Sequence, residues 1–145
     1  DIKSMRERIF KEKGSQDVWD LKNVSGGFID IEFIAQSCAL LLPEEACGMT
    51  GTDEILSSEA ARELLAGKVD ELKHAFELFS NVMHLQRICL WDGQKPEEFP
   101  LGFKTVLCQR MDLPSFDACE AELRMQQKRV KEIFNTFIAE GKQGN

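Results

Sequence analysis

The chain has 145 residues, a length that supports one hydrophobic core and predicts a single domain spanning residues 1–145. Its 25 acidic and 18 basic residues give a net charge of −7, which argues against a nucleic-acid-binding surface because phosphate contacts require a basic excess. No apolar run approaches the roughly 20 residues needed to cross a bilayer, and no signal peptide opens the chain. We therefore expect a soluble, cytoplasmic protein that binds neither nucleic acid nor membrane.

The first predicted helix covers residues 1–13 and is ended by a glycine. Its apolar stripe is formed by Ile2, Met5 and Ile9. Arg6 lies at the edge of this stripe and is the best candidate for a cation turned toward the core. Because the chain starts at Asp1 and enters this helical pattern directly, we expect it to be a piece of a longer, multidomain protein.

The most apolar segment of helical length follows a polar turn at residues 23–27 and spans residues 28–42. Before the turn, a short alternating pattern over residues 18–22 allows a very short strand. Apolar residues of the longer segment recur at three- and four-residue steps, the run is longer than most strands, and it stops at Pro43. These features predict a helix.

Two acids, Asp30 and Glu32, lie inside this apolar segment. In a strand they would share one face, but on a helix they point about 200° apart and cannot share a metal ion or act as an acid–base pair. The helix places Asp30 on the same side as Ser37. We predict that the two acids form structural ion pairs, with Arg6 or Lys22 as the cation, and do not act together in catalysis or metal binding.

The turn before the predicted helix contains Gly26 and Gly27, and Lys22 precedes it. One interpretation is that the glycines let a backbone approach a phosphate at the helix N-terminus while Lys22 supplies a positive charge. The other is a plain structural turn. The spacing matches neither a Walker loop nor a dinucleotide-binding fingerprint, so both interpretations remain open.

Three further helical regions are predicted: one starting after Thr52 and ending near Gly67, one over residues 68–91, and a short one after Pro100. The 68–91 pattern is apolar over more than half of its circumference, so this helix needs neighbours on two sides. A final helix carries one apolar face, which consists of Phe116, Cys119, Leu123, Val130, Phe134 and Phe137. Residues 141–145 are expected to fray. The predicted fold is an all-α bundle of about five or six helices.

The five cysteines are widely spaced and include no CxxC pair, which argues against a disulfide framework or a zinc site. We expect most of them to be buried thiols. His74 and His84 are separated by ten positions on one predicted helix and cannot form an adjacent ligand pair, so we expect both to be solvated or at an edge.

Several strings in the chain resemble a known family. They are MRERI from Met5, DLK from Asp20, GGFIDIEFIAQ from Gly26, HLQRICL from His84, and PLGFKTVLCQRMDLPSF leading into the final helix. Together they are similar to the helical domain that follows the nucleotidyltransferase domain in glutamine synthetase adenylyltransferases, and specifically to the one in the C-terminal, adenylylating half. The resemblance covers nearly the whole chain and is weaker between residues 43 and 67.

This resemblance implies a parent enzyme that uses ATP and Mg²⁺ to transfer AMP to a tyrosine of glutamine synthetase and to reverse that reaction, under control of the PII signal protein and glutamine. The metal-binding acids of the family lie in the upstream nucleotidyltransferase domain, so this chain alone is expected to be inactive. Lys22 and the Gly26–Gly27 turn would face the nucleotide cleft of that domain, whereas Arg6, Asp30 and Glu32 would orient the fold.

Two alternatives stay open at this point. One is the related helical domain of a PII uridylyltransferase. The other is a non-enzymatic helical module that docks glutamine synthetase or a regulator, for which the wide apolar face of the 68–91 helix would be the docking surface.

Overall fold

The computed structural model describes residues 17–41, 51–65, 67–91 and 94–143 of the chain. This part contains six α-helices and one short 3₁₀ helix, Pro96–Glu98. The α-helices are α1 Phe28–Leu41, α2 Thr52–Leu56, α3 Glu59–Leu64, α4 Val69–Cys89, α5 Leu101–Met111 and α6 Phe116–Gln143. The all-α prediction is confirmed, while the predicted helix 1–13 and its Arg6 lie outside the described residues.

Helix α4 lies in the middle of the chain, and its first and last residues are each within two positions of the ends of the predicted 68–91 helix. Asp70 and Glu71 in its first turn and Arg87 in its last turn complement the helix dipole. Its apolar face packs against α1, α2, α5 and α6, which confirms that it needs neighbours on more than one side. That face is therefore core, and it is not available as a docking surface.

The buried hydrophobic residues of the described part form one core cluster. The cluster includes the predicted apolar face of α6, of which only Phe116 remains partly exposed. A group of aromatic rings closes one end of the core, where Trp19 stacks on Phe116 with centroids 4.9 Å apart and meets Phe99 edge-on at 5.6 Å. The residues before α1 are thus packed against the start of the last helix.

The structure differs from the sequence-based expectations in three places: residues 18–22, the helix after Thr52 and the end of the last helix. Residues 18–22 form consecutive turns and no strand, since the N–H of Asn23 and the N–H of Val24 both donate to the Asp20 carbonyl oxygen. The helix predicted after Thr52 is split in two, because the Ser58 hydroxyl accepts a hydrogen bond from the Ala61 N–H and caps a new helix. Residues 141–143, predicted to fray, continue α6.

Between α5 and α6 the chain reverses at Asp112, which has a positive φ of 55°. Its N–H and that of Leu113 both donate to the Cys108 carbonyl oxygen, which satisfies the end of α5. Ser115 then caps α6 by accepting a hydrogen bond from the Ala118 N–H at 3.1 Å. None of the helices in the described ranges combines the length and apolar character needed to span a membrane.

Candidate functional site

The segment that carries Lys22 consists of residues 17–27, which we call the turn segment. It is built from local hydrogen bonds, among them Asp20 N–H to the Asp17 carbonyl oxygen at 3.0 Å. Its end joins α1 directly, since the Phe28 N–H donates to the Leu21 carbonyl oxygen at 2.9 Å. The turn segment therefore has a defined conformation, although it contains no helix and its β pairing is limited to a bridge at Val24.

Two glutamines from distant helices hold the turn segment in place. Gln86 of α4 donates from Nε2 to the Trp19 carbonyl oxygen at 3.0 Å, and Gln127 of α6 donates from Nε2 to the Val18 carbonyl oxygen at 2.9 Å. In addition, the Trp19 indole N–H donates to Glu120 at 3.0 Å. These bonds join residues 67 to 109 positions apart in the chain, so they fix the turn segment against the helical bundle.

Sequence reasoning missed both glutamines, although one of them has a detectable signal. Gln127 is buried and follows Leu123 by four positions and precedes Val130 by three, which places a polar residue on the apolar stripe of α6. A buried amide needs hydrogen-bond partners, so such a residue indicates a specific internal contact.

The two glycines of the turn segment are buried against other backbone. Gly26 has a positive φ of 82°, and a Cβ atom there would overlap the carbonyl oxygen of Gln127. At Gly27 a Cβ atom would overlap the Leu21 carbonyl oxygen. Their N–H groups are also engaged, with Gly26 donating to the Asp30 carboxylate at 2.5 Å and Gly27 to the Val24 carbonyl oxygen at 2.9 Å. This geometry gives the glycines a packing role and does not support phosphate binding by their N–H groups.

The two acids of α1 diverge as the helix geometry predicts. Asp30 is fully buried together with Ser37, whereas Glu32 is exposed. Asp30 accepts the Gly26 N–H and so joins the first turn of α1 to the turn segment. Glu32 and Lys22 take part in no ion pair among the described residues, and no group of three or more His, Cys, Asp or Glu side chains in those ranges could hold a metal ion. The predicted pair between Arg6 and Asp30 stays a prediction because Arg6 lies outside the described residues.

Lys22 is exposed and lies at a groove of about 580 Å³ between the turn segment, the C-terminal end of α4 and residues 94–99. Among the described residues, three cations line this groove, Lys22, Arg87 and Lys95, and two acids, Asp17 and Asp20. We call it the Lys22 groove.

The two histidines lie at the surface as predicted, but only two of the four cysteines in the described ranges are buried, fewer than predicted. His74 and His84 are exposed on α4. Cys38 and Cys119 are buried, Cys89 and Cys108 are partly exposed, and Cys47 lies outside the described residues. Burial raises the pKa of Cys38 to about 11. Burial, together with the nearby Cys108 thiol at 3.8 Å, raises the pKa of Cys119 to about 12, so both buried thiols are protonated at neutral pH.

The fold and this site define an all-α helical domain with a cationic groove beside an anchored turn. The chain belongs to the GlnD PII-uridylyltransferase family, whose model matches residues 2–138. No solved structure matches it.

Curated relatives give a more specific comparison. The bifunctional glutamine synthetase adenylyltransferase/adenylyl-removing enzyme of Rhizobium meliloti (strain 1021) is 37% identical over 145 residues, which is 96% of this chain and 14% of that protein. The enzymes of the same name from Mesorhizobium japonicum and Agrobacterium fabrum are 37% and 31% identical, over 95% and 97% of the chain. The chain spans only 14–15% of the length of these three relatives. The resemblance to glutamine synthetase adenylyltransferases is thereby confirmed.

Proposed function

We propose that this chain is a helical domain of an enzyme that transfers AMP from ATP to a tyrosine of glutamine synthetase and also removes it. The observation that carries this proposal is the 31–37% identity, over at least 95% of the chain, to enzymes named for both activities. The domain supports an adjoining nucleotidyltransferase domain, and the parent is a bacterial, cytoplasmic enzyme that uses Mg²⁺ and responds to the PII protein. Within this proposal the metal-binding acids belong to the adjoining domain, and the chain alone is expected to be inactive.

Within this proposal, Lys22 contacts the triphosphate of ATP from the side of the helical domain. Its side chain is exposed, while the backbone on either side of it is held by Gln86, Gln127 and the first turn of α1. A cation held in a fixed place can stabilise phosphate charge without reorganisation during the reaction. The glycines contribute indirectly, because Gly26 allows the close packing of the turn segment against α6 and Gly27 allows close packing within the turn segment.

The test is Lys22→Ala in the full-length enzyme, with Lys128→Ala as the control because Lys128 is exposed on α6 and does not line the Lys22 groove. Loss of a charged contact to phosphate should raise the KM for ATP in the adenylylation of glutamine synthetase by about tenfold. Lys22→Arg should restore most of the affinity. An unchanged KM and kcat in Lys22→Ala would remove Lys22 from the nucleotide site.

A second candidate function follows from the name of the matching family, which is that of a PII uridylyltransferase. The two functions are separated by the substrates of the full-length enzyme. Labelled ATP with glutamine synthetase should yield an adenylylated product, and labelled UTP with PII protein should not yield a uridylylated one. The opposite pattern would replace the first proposal with the second.

A further inference from the structure

The Lys22 groove extends well beyond Lys22 itself. Its other wall is the last two turns of α4 and the residues that follow, including Arg87, Trp91 and Lys95. Its volume of about 580 Å³ lies within the range of roughly 300–1,000 Å³ that is typical of small-molecule sites.

The charges around the groove favour an anion. Three cations line it in a chain whose net charge is −7, and none of the three forms an ion pair within the described ranges. The two acids on the wall serve the turn segment: Asp17 accepts the Trp19 N–H at 3.0 Å, and Asp20 accepts from the Asn23 amide at 3.3 Å. A ligand with several negative charges would complement the three cations better than a single carboxylate would.

The groove also presents a flat aromatic surface. Trp91 is 70% exposed just beyond the end of α4, and it lines the groove together with Arg87 of the last turn of that helix. Its backbone is held in place, since its N–H donates to the Gln94 side chain at 3.3 Å and Gln94 in turn donates to the Glu98 carbonyl oxygen at 2.8 Å. An exposed indole beside cations is suited to stacking on a planar base whose phosphates are bound next to it.

We propose that the Lys22 groove binds a nucleoside polyphosphate, with Arg87 and Lys95 joining Lys22 at the phosphates and the Trp91 ring stacking on the base. This inference rests on the proposed function for the role of Lys22, and it adds Arg87, Lys95 and Trp91, to which that function assigns no role.

The experiment uses the full-length enzyme and measures equilibrium binding of ATP, inorganic triphosphate and adenosine by calorimetry. Arg87→Ala should weaken the binding of ATP and triphosphate by about tenfold, because it removes a charged contact to phosphate. Trp91→Ala should weaken ATP and adenosine by about five- to tenfold and leave triphosphate unchanged, because stacking involves only the base. Trp91→Phe should restore most of the stacking.

Two control variants match these changes. Ile88→Ala alters a side chain that is 68% exposed on the same end of α4 but does not line the groove. Arg110→Ala removes an exposed arginine from the last turn of α5, also outside the groove. Both should bind all three probes as the unaltered enzyme does.

The outcomes separate this inference from the proposed function. If Lys22→Ala raises the KM for ATP while Arg87→Ala and Trp91→Ala bind every probe normally, the groove proposal is overturned and the role of Lys22 stands. If the groove variants lose affinity for glutamine synthetase or PII protein and keep it for nucleotides, the groove is a protein-docking surface and the proposal is equally overturned. If the enzyme transfers UMP to PII protein but these variants still weaken nucleotide binding, the groove proposal stands and the adenylyltransferase assignment fails.

Discussion

Gly26 and Gly67 have nearly the same backbone conformation but different surroundings. Both have a positive φ, 82° and 85°, yet a Cβ atom at Gly26 would overlap the backbone of α6, whereas one at Gly67 would meet nothing within 4 Å. Gly102 in α5 also has open space around it and carries no positive φ. These three residues therefore separate the effect of conformation from the effect of close packing.

We expect three different effects on the unfolding free energy of the 145-residue chain. Gly26→Ala combines a left-handed conformation with a backbone overlap and should destabilise by more than about 3 kcal/mol. Gly67→Ala has only the conformational strain and should destabilise by about 1–2 kcal/mol. Gly102→Ala should stabilise α5 by up to about 1 kcal/mol. Urea unfolding followed by circular dichroism measures all three.

Equal destabilisation by Gly26→Ala and Gly67→Ala would contradict this account. It would mean that α6 can move away from the turn segment at little cost, and that the contact with Gln127 does not hold Lys22 in place.

At the scale of elements, the turn segment depends on α4 and α6 for its position. Its internal hydrogen bonds are local, and within the described ranges its carbonyl oxygens at residues 18 and 19 accept from Gln127 and Gln86. A turn of this kind has no helical hydrogen bonding of its own, so the helices that it contacts help to fix its conformation.

Gln127→Leu should therefore destabilise the chain by about 1–3 kcal/mol, because the buried Val18 carbonyl oxygen loses its donor. Gln109→Leu is the matched control, since Gln109 is exposed on α5, and it should change the unfolding free energy by less than about 0.5 kcal/mol. Chemical denaturation measures both. If Gln127→Leu is as stable as the control, the amide contact does not anchor the turn segment.

At the scale of the whole molecule, one core cluster joins helices that are far apart in the chain. Cys38 of α1 and Cys119 of α6 both belong to this cluster and are fully buried. Their pKa values of about 11 and 12 lie above the ordinary value of 9.0. Unfolding exposes both thiols together and returns both pKa values to that ordinary range.

The stability of the chain should consequently decrease in alkaline solution. Between about pH 9 and pH 12 the folded state retains thiol protons that the unfolded state releases, so the contribution is complete below pH 9 and is lost as the pH rises through the folded pKa values. The measurement is the unfolding free energy from pH 7 to pH 11. The double variant Cys38→Ala, Cys119→Ala should be less stable throughout and should show a shallower decline above pH 9. Parallel declines in the two proteins would show that other groups account for the alkaline loss.

Much of this architecture could be predicted because it depends on local periodicity. An α-helix rotates by 100° per residue, and this rotation predicts the bounds of α4, the apolar face of α6 and the divergence of Asp30 and Glu32. The split between α2 and α3 could not be predicted, because it depends on whether a single serine hydroxyl caps a new helix or faces solvent. Apolar and polar residues alternate over residues 18–22 as they would in a strand, but the backbone hydrogen bonds of these residues are those of turns.

The amino-acid sequence by itself determined the all-α class, the helical stripes and the resemblance of the GGFIDIEF string to a nucleotidyltransferase family, because these reside in neighbouring residues. Only the tertiary structure decided which contacts the residues in and around this string make. It showed that Gly26 packs against the backbone of α6, that Gly27 packs against the Leu21 carbonyl oxygen, and that two glutamines anchor the turn. It also gathered Lys22, Arg87, Lys95 and Trp91 at one groove. The contacts of the turn segment with α4 and α6 join residues 60 or more positions apart, for which the periodicity of the chain contains no signal.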